Sequence, residues 1–182
     1  QALCLMSFYL EFTSKIALKD DPVDGHNDES EGLFRVVSNA VFYLDHSLVN
    51  NQFDLSTQLF IFFAKLIIEL GITPNIENCR YCEKTFSESE FCLFSPVEGG
   101  FSCHDCNSKQ DEFLSDNANL KSEYMSSVKL RQSLKHVFNM HYRDYGSLEQ
   151  MTHGLTAAEF NYINYQFEFS ATSFKTWPML LV

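Results

Sequence analysis

Basic residues are scarce: 13 lysines and arginines face 24 aspartates and glutamates, a formal net charge of −11. A surface this acidic repels phosphate backbones over most of its area, which argues against a stand-alone nucleic-acid binder. Long apolar runs are missing as well. The longest, Leu59 to Ala64, is followed by Lys65 and then Glu69, well short of the roughly 20 residues that span a bilayer. Ala2 to Leu18 is apolar but carries Glu11 and Lys15 and has no basic leader, so it does not read as a secretory signal. Signatures of catalysis are lacking too. There is no phosphate-binding loop, no Gly-x-Ser-x-Gly elbow and no carboxylate pair on a recognisable frame, so no enzyme is expected.

What the chain does contain is phenylalanine and paired cysteine. Eighteen phenylalanines in a chain that is 45% hydrophobic imply a bulky aromatic core, because each ring buries a large area and carries no polar handle. Four of the six cysteines form two Cys-x-x-Cys pairs, Cys79/Cys82 and Cys103/Cys106, with 20 residues between them. Each pair at the tip of a tight turn lets two sulfurs converge at about 2.3 Å from one ion, and the intervening residues return as a hairpin. Four thiolates favour zinc or an iron–sulfur centre. Zinc is the expected metal, in a structural role, since a closed tetrahedron leaves no position for a substrate water. Two other readings are weaker. A disulfide framework suits a small secreted chain, and a thioredoxin-like motif needs one pair rather than two symmetrical ones. Cys4 and Cys92 read as small apolar core residues, and His104, between the cysteines of the second pair, is expected to point away from the metal.

The residues around the pairs carry a more specific signal. Glu69-Leu70-Gly71-Ile72-Thr73-Pro74-Asn75 leads into the first pair, and Phe94-Ser95-Pro96-Val97-Glu98-Gly99-Gly100 precedes the second. With the cysteines, these phrases resemble the zinc-containing C-terminal domain of the RecO recombination-mediator family, tightly over Leu66 to Cys106 and as a helix pattern from Gln1. The resemblance implies a mainly α fold: a helical domain with an inserted four-cysteine zinc ribbon carrying a short β-hairpin. The family carries an N-terminal oligonucleotide-binding barrel, which is expected to be absent here because its pattern is not seen ahead of Gln1. Gln1 opens directly inside a helical pattern, so a segment ahead of it is expected to have been removed.

In chain order, Leu3, Met6, Leu10 and Ile16 at helical spacing predict a first helix over 2–18. An acidic loop with Pro22 and Gly25 follows. Asp28 with Glu31 forms a capping box for a second helix through Leu44, which Asn50-Asn51 breaks. Asp54 caps a third, Leu55 to Leu70, apolar nearly all round and therefore central, with Gly71 as its stop. Within the ribbon, Glu90 to Phe94 is expected as one strand, with Gly99-Gly100 turning into the other. Phe113 and Leu114 are candidates for a short helix in the polar stretch 107–119. A helix is expected over about 122–145, and the stretch from Lys121 to Arg143 holds five basic residues, Lys121, Lys129, Arg131, Lys135 and Arg143, against Glu123. Lys129, Arg131 and Lys135 are accordingly the candidates for binding nucleic acid or another anionic partner, against the plainer reading of a solvated face. In the tail, Thr156 with Glu159 reads as a capping box, Tyr165, Phe167 and Phe169 alternate like a strand, and 175–182 reads as an extended end. The expected organisation is thus a helical domain in two parts, 1–78 and 107–151, a ribbon over 79–106, and an aromatic tail over 152–182.

The resemblance implies a non-enzymatic, cytoplasmic part in bacterial DNA repair and recombination, near the nucleoid. It would load RecA and anneal strands with RecR and single-strand-binding protein, while touching single-stranded DNA only weakly. The alternative is a zinc-ribbon structural or interaction subunit of a larger assembly.

Overall fold

Helix α3, Leu55–Glu69, is apolar on nearly every side because it has neighbours on nearly every side. The computed structural model describes residues 1–19, 27–110, 118–141, 144, 151 and 153–180. As expected, Asp54 opens α3, its carboxylate accepting the Thr57 N–H at 2.8 Å and the Thr57 hydroxyl. The helix closes in a Schellman turn: Gly71, at φ 66°, donates to the Ile68 carbonyl and Ile72 to that of Ile67. A left-handed residue is needed there, and glycine adopts it without a Cβ clash.

The two sides of α3 feed two cores. Leu59, Phe62, Phe63, Leu66 and Ile67 enter an aromatic core with Leu5, Phe8, Phe12 and Ile16 of α1 (Ala2–Lys19). Helix α2 (Asn27–Val49) adds Leu33, Val36, Ala40 and Leu44 to it. Phe60 and Ala64 enter a smaller core that the ribbon completes. That ribbon carries a single antiparallel pair, β1 (Cys92–Ser95) with β2 (Gly100–Cys103), in register Cys92 to Cys103 and Ser95 to Gly100. Helix α4 (His104–Gln110) follows at once, then α5 (Ala118–Asn139), which lies along β1, and α6 (His153–Gln166), packed on α3. Mainly helical architecture with one small hairpin is the fold class the sequence implied.

Several local expectations need correction. Helix α2 already includes Asn27, so Asp28 lies within it rather than capping it. Strand β1 starts at Cys92, two residues later than expected, because the chain turns over Ser87–Glu90, where Glu90 accepts the Ser87 N–H at 3.1 Å. Helix α5 runs four residues earlier than expected and stops at Asn139. There the Lys65 ammonium donates to the Val137 and Met140 carbonyls at 2.8 and 2.6 Å, a cation on the negative end of a helix. Phe113 and Leu114 lie outside the described residues.

The tail differs most from its reading. Helix α6 starts at His153, so Thr156 and Glu159 lie in its interior rather than at its N-cap. Thr156 instead donates to the Ser56 carbonyl at 3.3 Å. Tyr165 is still within α6, and the chain then turns at Glu168 (φ 52°) instead of extending into a strand. Phe167 and Phe169, on either side of that residue, stack with ring centres 5.9 Å apart. A 3₁₀ turn (Ala171–Ser173) and a short helix α7 (Trp177–Leu180) replace the extended end. The reason is apolar burial: Trp177 stacks on Phe160 at 3.9 Å and Phe174 on Phe12 at 4.8 Å. Glu11 fastens this end by accepting the Lys175 and Thr176 N–H groups, each at 2.9 Å. Burial works against the Glu11 carboxylate, but these hydrogen bonds hold its pKa below the ordinary value.

Candidate metal centre

Each cysteine pair is presented by a turn that the local residues dictate. Asn75 accepts the N–H groups of Glu77 and Asn78 at 3.0 and 3.1 Å, an Asx-type turn that aims the chain at the first pair. The hairpin around that pair closes through Cys79 N–H to Lys84 and Phe86 N–H to Glu77, both 2.8 Å. Glu83, left-handed at φ 59°, donates to the Cys79 carbonyl at 2.9 Å. Arg80 donates to the Phe101 carbonyl at 2.8 Å and so ties the first knuckle to β2. The second knuckle begins where β2 ends: Cys103 is its last residue and Cys106 sits in the first turn of α4. Between them, Ser95 steadies the Pro96–Gly99 turn by accepting the Gly99 N–H at 2.9 Å, and Gly99 takes φ 66°.

These turns bring four sulfurs together. The Sγ atoms of Cys79, Cys82, Cys103 and Cys106 all lie within 4.8 Å of one another, and Cys82 and Cys103 are 3.7 Å apart. A tetrahedron of metal–sulfur bonds of about 2.3 Å has edges of about 3.8 Å, so shifts of about 1 Å or less let the set close on a metal ion. The electrostatics of the thiols agree. Burial opposes ionisation of Cys79, yet backbone N–H groups of Cys82, Cys103 and Tyr81 outweigh it and bring its pKa to about 6. Cys103 is raised by burial, and Cys106 is pushed up to about 12, chiefly by the neighbouring Cys82 sulfur. Sulfurs that suppress each other's charge form a donor set that a cation relieves. Cys92 stands apart, fully buried in the ribbon core, its thiol pushed to about 11 by desolvation. Cys4 is on α1, and His104 is exposed on the outside of the second knuckle.

The ribbon is held by α5 through side chains whose role the sequence did not reveal. Arg131, one of three basic residues expected on an anionic-partner surface, is only 2% exposed and turned inward. Its guanidinium donates to the Ile76 carbonyl at 3.3 Å and to those of Ser87 and Glu88 at 2.5 and 2.8 Å, and lies 5.0 Å from the Phe86 ring centre. Three carbonyls of the ribbon thus converge on one cation. Gln132 adds a bond to Glu88 and Ser127 accepts the Phe94 N–H. Lys135 stays exposed but pairs with Glu77 at 2.8 Å, and Lys129 is exposed. A period-3.6 pattern places Arg131 on a helix face but carries no sign that the face meets carbonyls. The Asx turn at Asn75, by contrast, was signalled by the Pro-Asn lead-in. Alongside Lys135, a cleft of about 750 Å³ opens between the ribbon and the end of α5, lined by Phe86, Glu88, His136, Met140 and Asp144.

The family model described as recombination protein O C terminal matches residues 6–136, from the first helix through the ribbon into α5. No curated protein and no solved structure matches.

Proposed function

Because the chain belongs to the RecO C-terminal family, whose model covers residues 6–136, we propose that it is the zinc-bearing, partner-docking part of a recombination mediator. A general role in DNA recombination and repair comes with that membership, and the family acts without catalysis of its own. In our reading, Cys79, Cys82, Cys103 and Cys106 hold one structural zinc ion. The chain works in the cytoplasm with RecR and single-strand-binding protein to place RecA on single-stranded DNA and to anneal strands. Among the described residues no helix is long and apolar enough to cross a membrane.

The observation that carries the reading is that the family match includes the α1–α3 part of the aromatic core together with the whole cysteine ribbon. Direct contacts to an anionic partner fall to Lys129 and Lys135, while Arg131 positions the ribbon beside them. An acidic peptide with an apolar end, such as the C-terminus of single-strand-binding protein, suits the cleft, where Phe86 and Met140 offer apolar contact and Lys135 a cation at the rim. Contact to DNA is weak, given the net charge of −11. The test is titration of that peptide, and separately of RecR, into the full chain. Peptide binding that weakens about tenfold in a Lys129→Glu, Lys135→Glu variant is expected, and absence of binding to both partners overturns the reading. A chain cut near Met151 is unsuitable for this, because Phe160, Phe174 and Trp177 belong to the core. The second reading, an interaction subunit of a larger assembly, is favoured by the uncovered side chains of Leu10, Leu18, Phe34 and Phe42.

A further inference from the structure

The four sulfurs are not equivalent, and the difference has a chemical meaning. Cys79 and Cys103 are buried, at 1% and 2% exposure, Cys106 is half-buried, and Cys82 is exposed. Cys79 also accepts the Cys103 N–H at 3.2 Å, which occupies a lone pair. Cys82 is therefore the outermost residue of the four, and the Cys103 sulfur lies 3.7 Å from its own on the other knuckle. A small oxidant reaching the cluster from water meets Cys82 first, and the sulfur able to resolve the product is already adjacent.

We propose that the cluster is a peroxide-sensitive modification site, in which hydrogen peroxide oxidises Cys82 and a Cys82–Cys103 disulfide then opens the metal site. The inference rests on the zinc assignment above. In the first step the Cys82 thiolate attacks one peroxide oxygen. The S–O bond forms, the O–O bond breaks, and hydroxide leaves, giving the sulfenic acid. In the second, the Cys103 thiolate attacks the Cys82 sulfur, the S–S bond forms and a second hydroxide leaves. Both hydroxides take protons from solvent to become water, so two sulfurs supply the two electrons that reduce one peroxide. Disulfide geometry, with sulfurs about 2.05 Å apart, needs an approach of under about 2 Å from the present separation. Cys79 and Cys106 are then the only sulfurs left for the ion, too few to retain it.

The experiment uses the full chain loaded with zinc, its metal content measured beforehand. Hydrogen peroxide is added while a chromogenic chelator reads released zinc and alkylation with peptide mass mapping follows each cysteine. Release of one zinc per chain is expected, with the Cys82 thiol lost about tenfold faster than those of Cys79 and Cys92. A Cys82–Cys103 linked peptide should appear, and a dithiol reductant with added zinc should restore the starting state. Loss that begins at Cys4 or Cys92, a linked pair other than Cys82–Cys103, or oxidation of Cys82 with zinc retained each overturns the proposal. A chain that takes up no zinc at the outset overturns the zinc assignment instead, and the cysteine mapping on that sample still decides the order of oxidation.

Discussion

The two cores on either side of α3 are built on opposite principles. The aromatic core of α1, α2, α6 and α7 is closed by rings, with Phe8, Phe12, Phe63, Phe160, Phe174 and Trp177 in mutual contact, and burial of their area supplies its stability. The ribbon-side core takes two rings from the ribbon, Phe86 and Phe101, with Cys79, Cys92 and Cys103 and with Ile76 just ahead of it, too little apolar area for an independent fold. It relies on the cysteine cluster and on Arg131, both of which act through specific polar geometry. Area-driven packing tolerates loss of a part. Polar anchoring does not, because each lost partner strands another group.

The sharpest way to separate the two is to take away the metal. Metal removal by chelation, or Cys82→Ser, should forfeit on the order of 10 kcal/mol of metal-linked folding free energy and unfold the ribbon alone. The single tryptophan, Trp177, reports on the aromatic core and Cys92 on the other, so Cys92 should become reactive to thiol reagents while Trp177 fluorescence stays native. Simultaneous collapse of both signals would show one cooperative unit.

The converse perturbation is Phe160→Ala, which removes the ring stacked on Trp177. A loss of about 3–5 kcal/mol is expected from a deleted buried phenylalanine, read by denaturant unfolding, with metal content per chain unchanged. Arg131→Lys comes next. Lysine keeps the charge but not the fork that reaches three carbonyls, and a cost of about 2–3 kcal/mol should appear as faster Cys92 labelling rather than as a shift in Trp177 fluorescence.

The smallest effect lies where the cores meet. Glu159 sits on α6 between Leu155, in the ribbon-side core, and Ile163, in the aromatic core. It is 1% exposed, and neither carboxyl oxygen has a hydrogen-bond partner. Burial raises its pKa well above the carboxylate range, so the folded chain holds a proton that the unfolded chain has lost. Its contribution is full below the unfolded pKa and declines as pH rises towards the folded one, by about 1.4 kcal/mol per pH unit. Glu159→Gln should remove this slope from the pH dependence of urea midpoints. An unchanged slope would mean that Glu159 is already charged in the fold.

The same contrast explains what could be read in advance. Asp54, Gly71 and the two cysteine pairs are local signals, in which a few neighbouring residues determine a cap, a stop or a knuckle, and each was legible. Thr156 and Glu159 have the spacing of a capping box, but that spacing also occurs inside a helix, and only the packing of α6 on α3 shows which applies. The alternation at Tyr165, Phe167 and Phe169 has the period of a strand, yet no partner strand exists among the described residues, so Tyr165 stays exposed on α6 while Phe167 and Phe169 pack on the aromatic core from a turn. Arg131 is the same kind of case: its role is set by carbonyls more than 40 residues away in the chain.

Glu11 accepts hydrogen bonds from Thr176, 165 positions later, and that separation bears on how the chain is made. At about 5–20 residues per second, a ribosome needs roughly 8–30 s to travel that distance. Until it does, α1 has emerged with its aromatic stripe but without Phe174 and Trp177 to cover Phe8 and Phe12. Phe8 and Phe12 meanwhile have Phe62 and Phe63 of α3, and later Phe160 of α6, to pack on, so the Glu11 contact and the rings of the chain end complete a core that the earlier helices have begun.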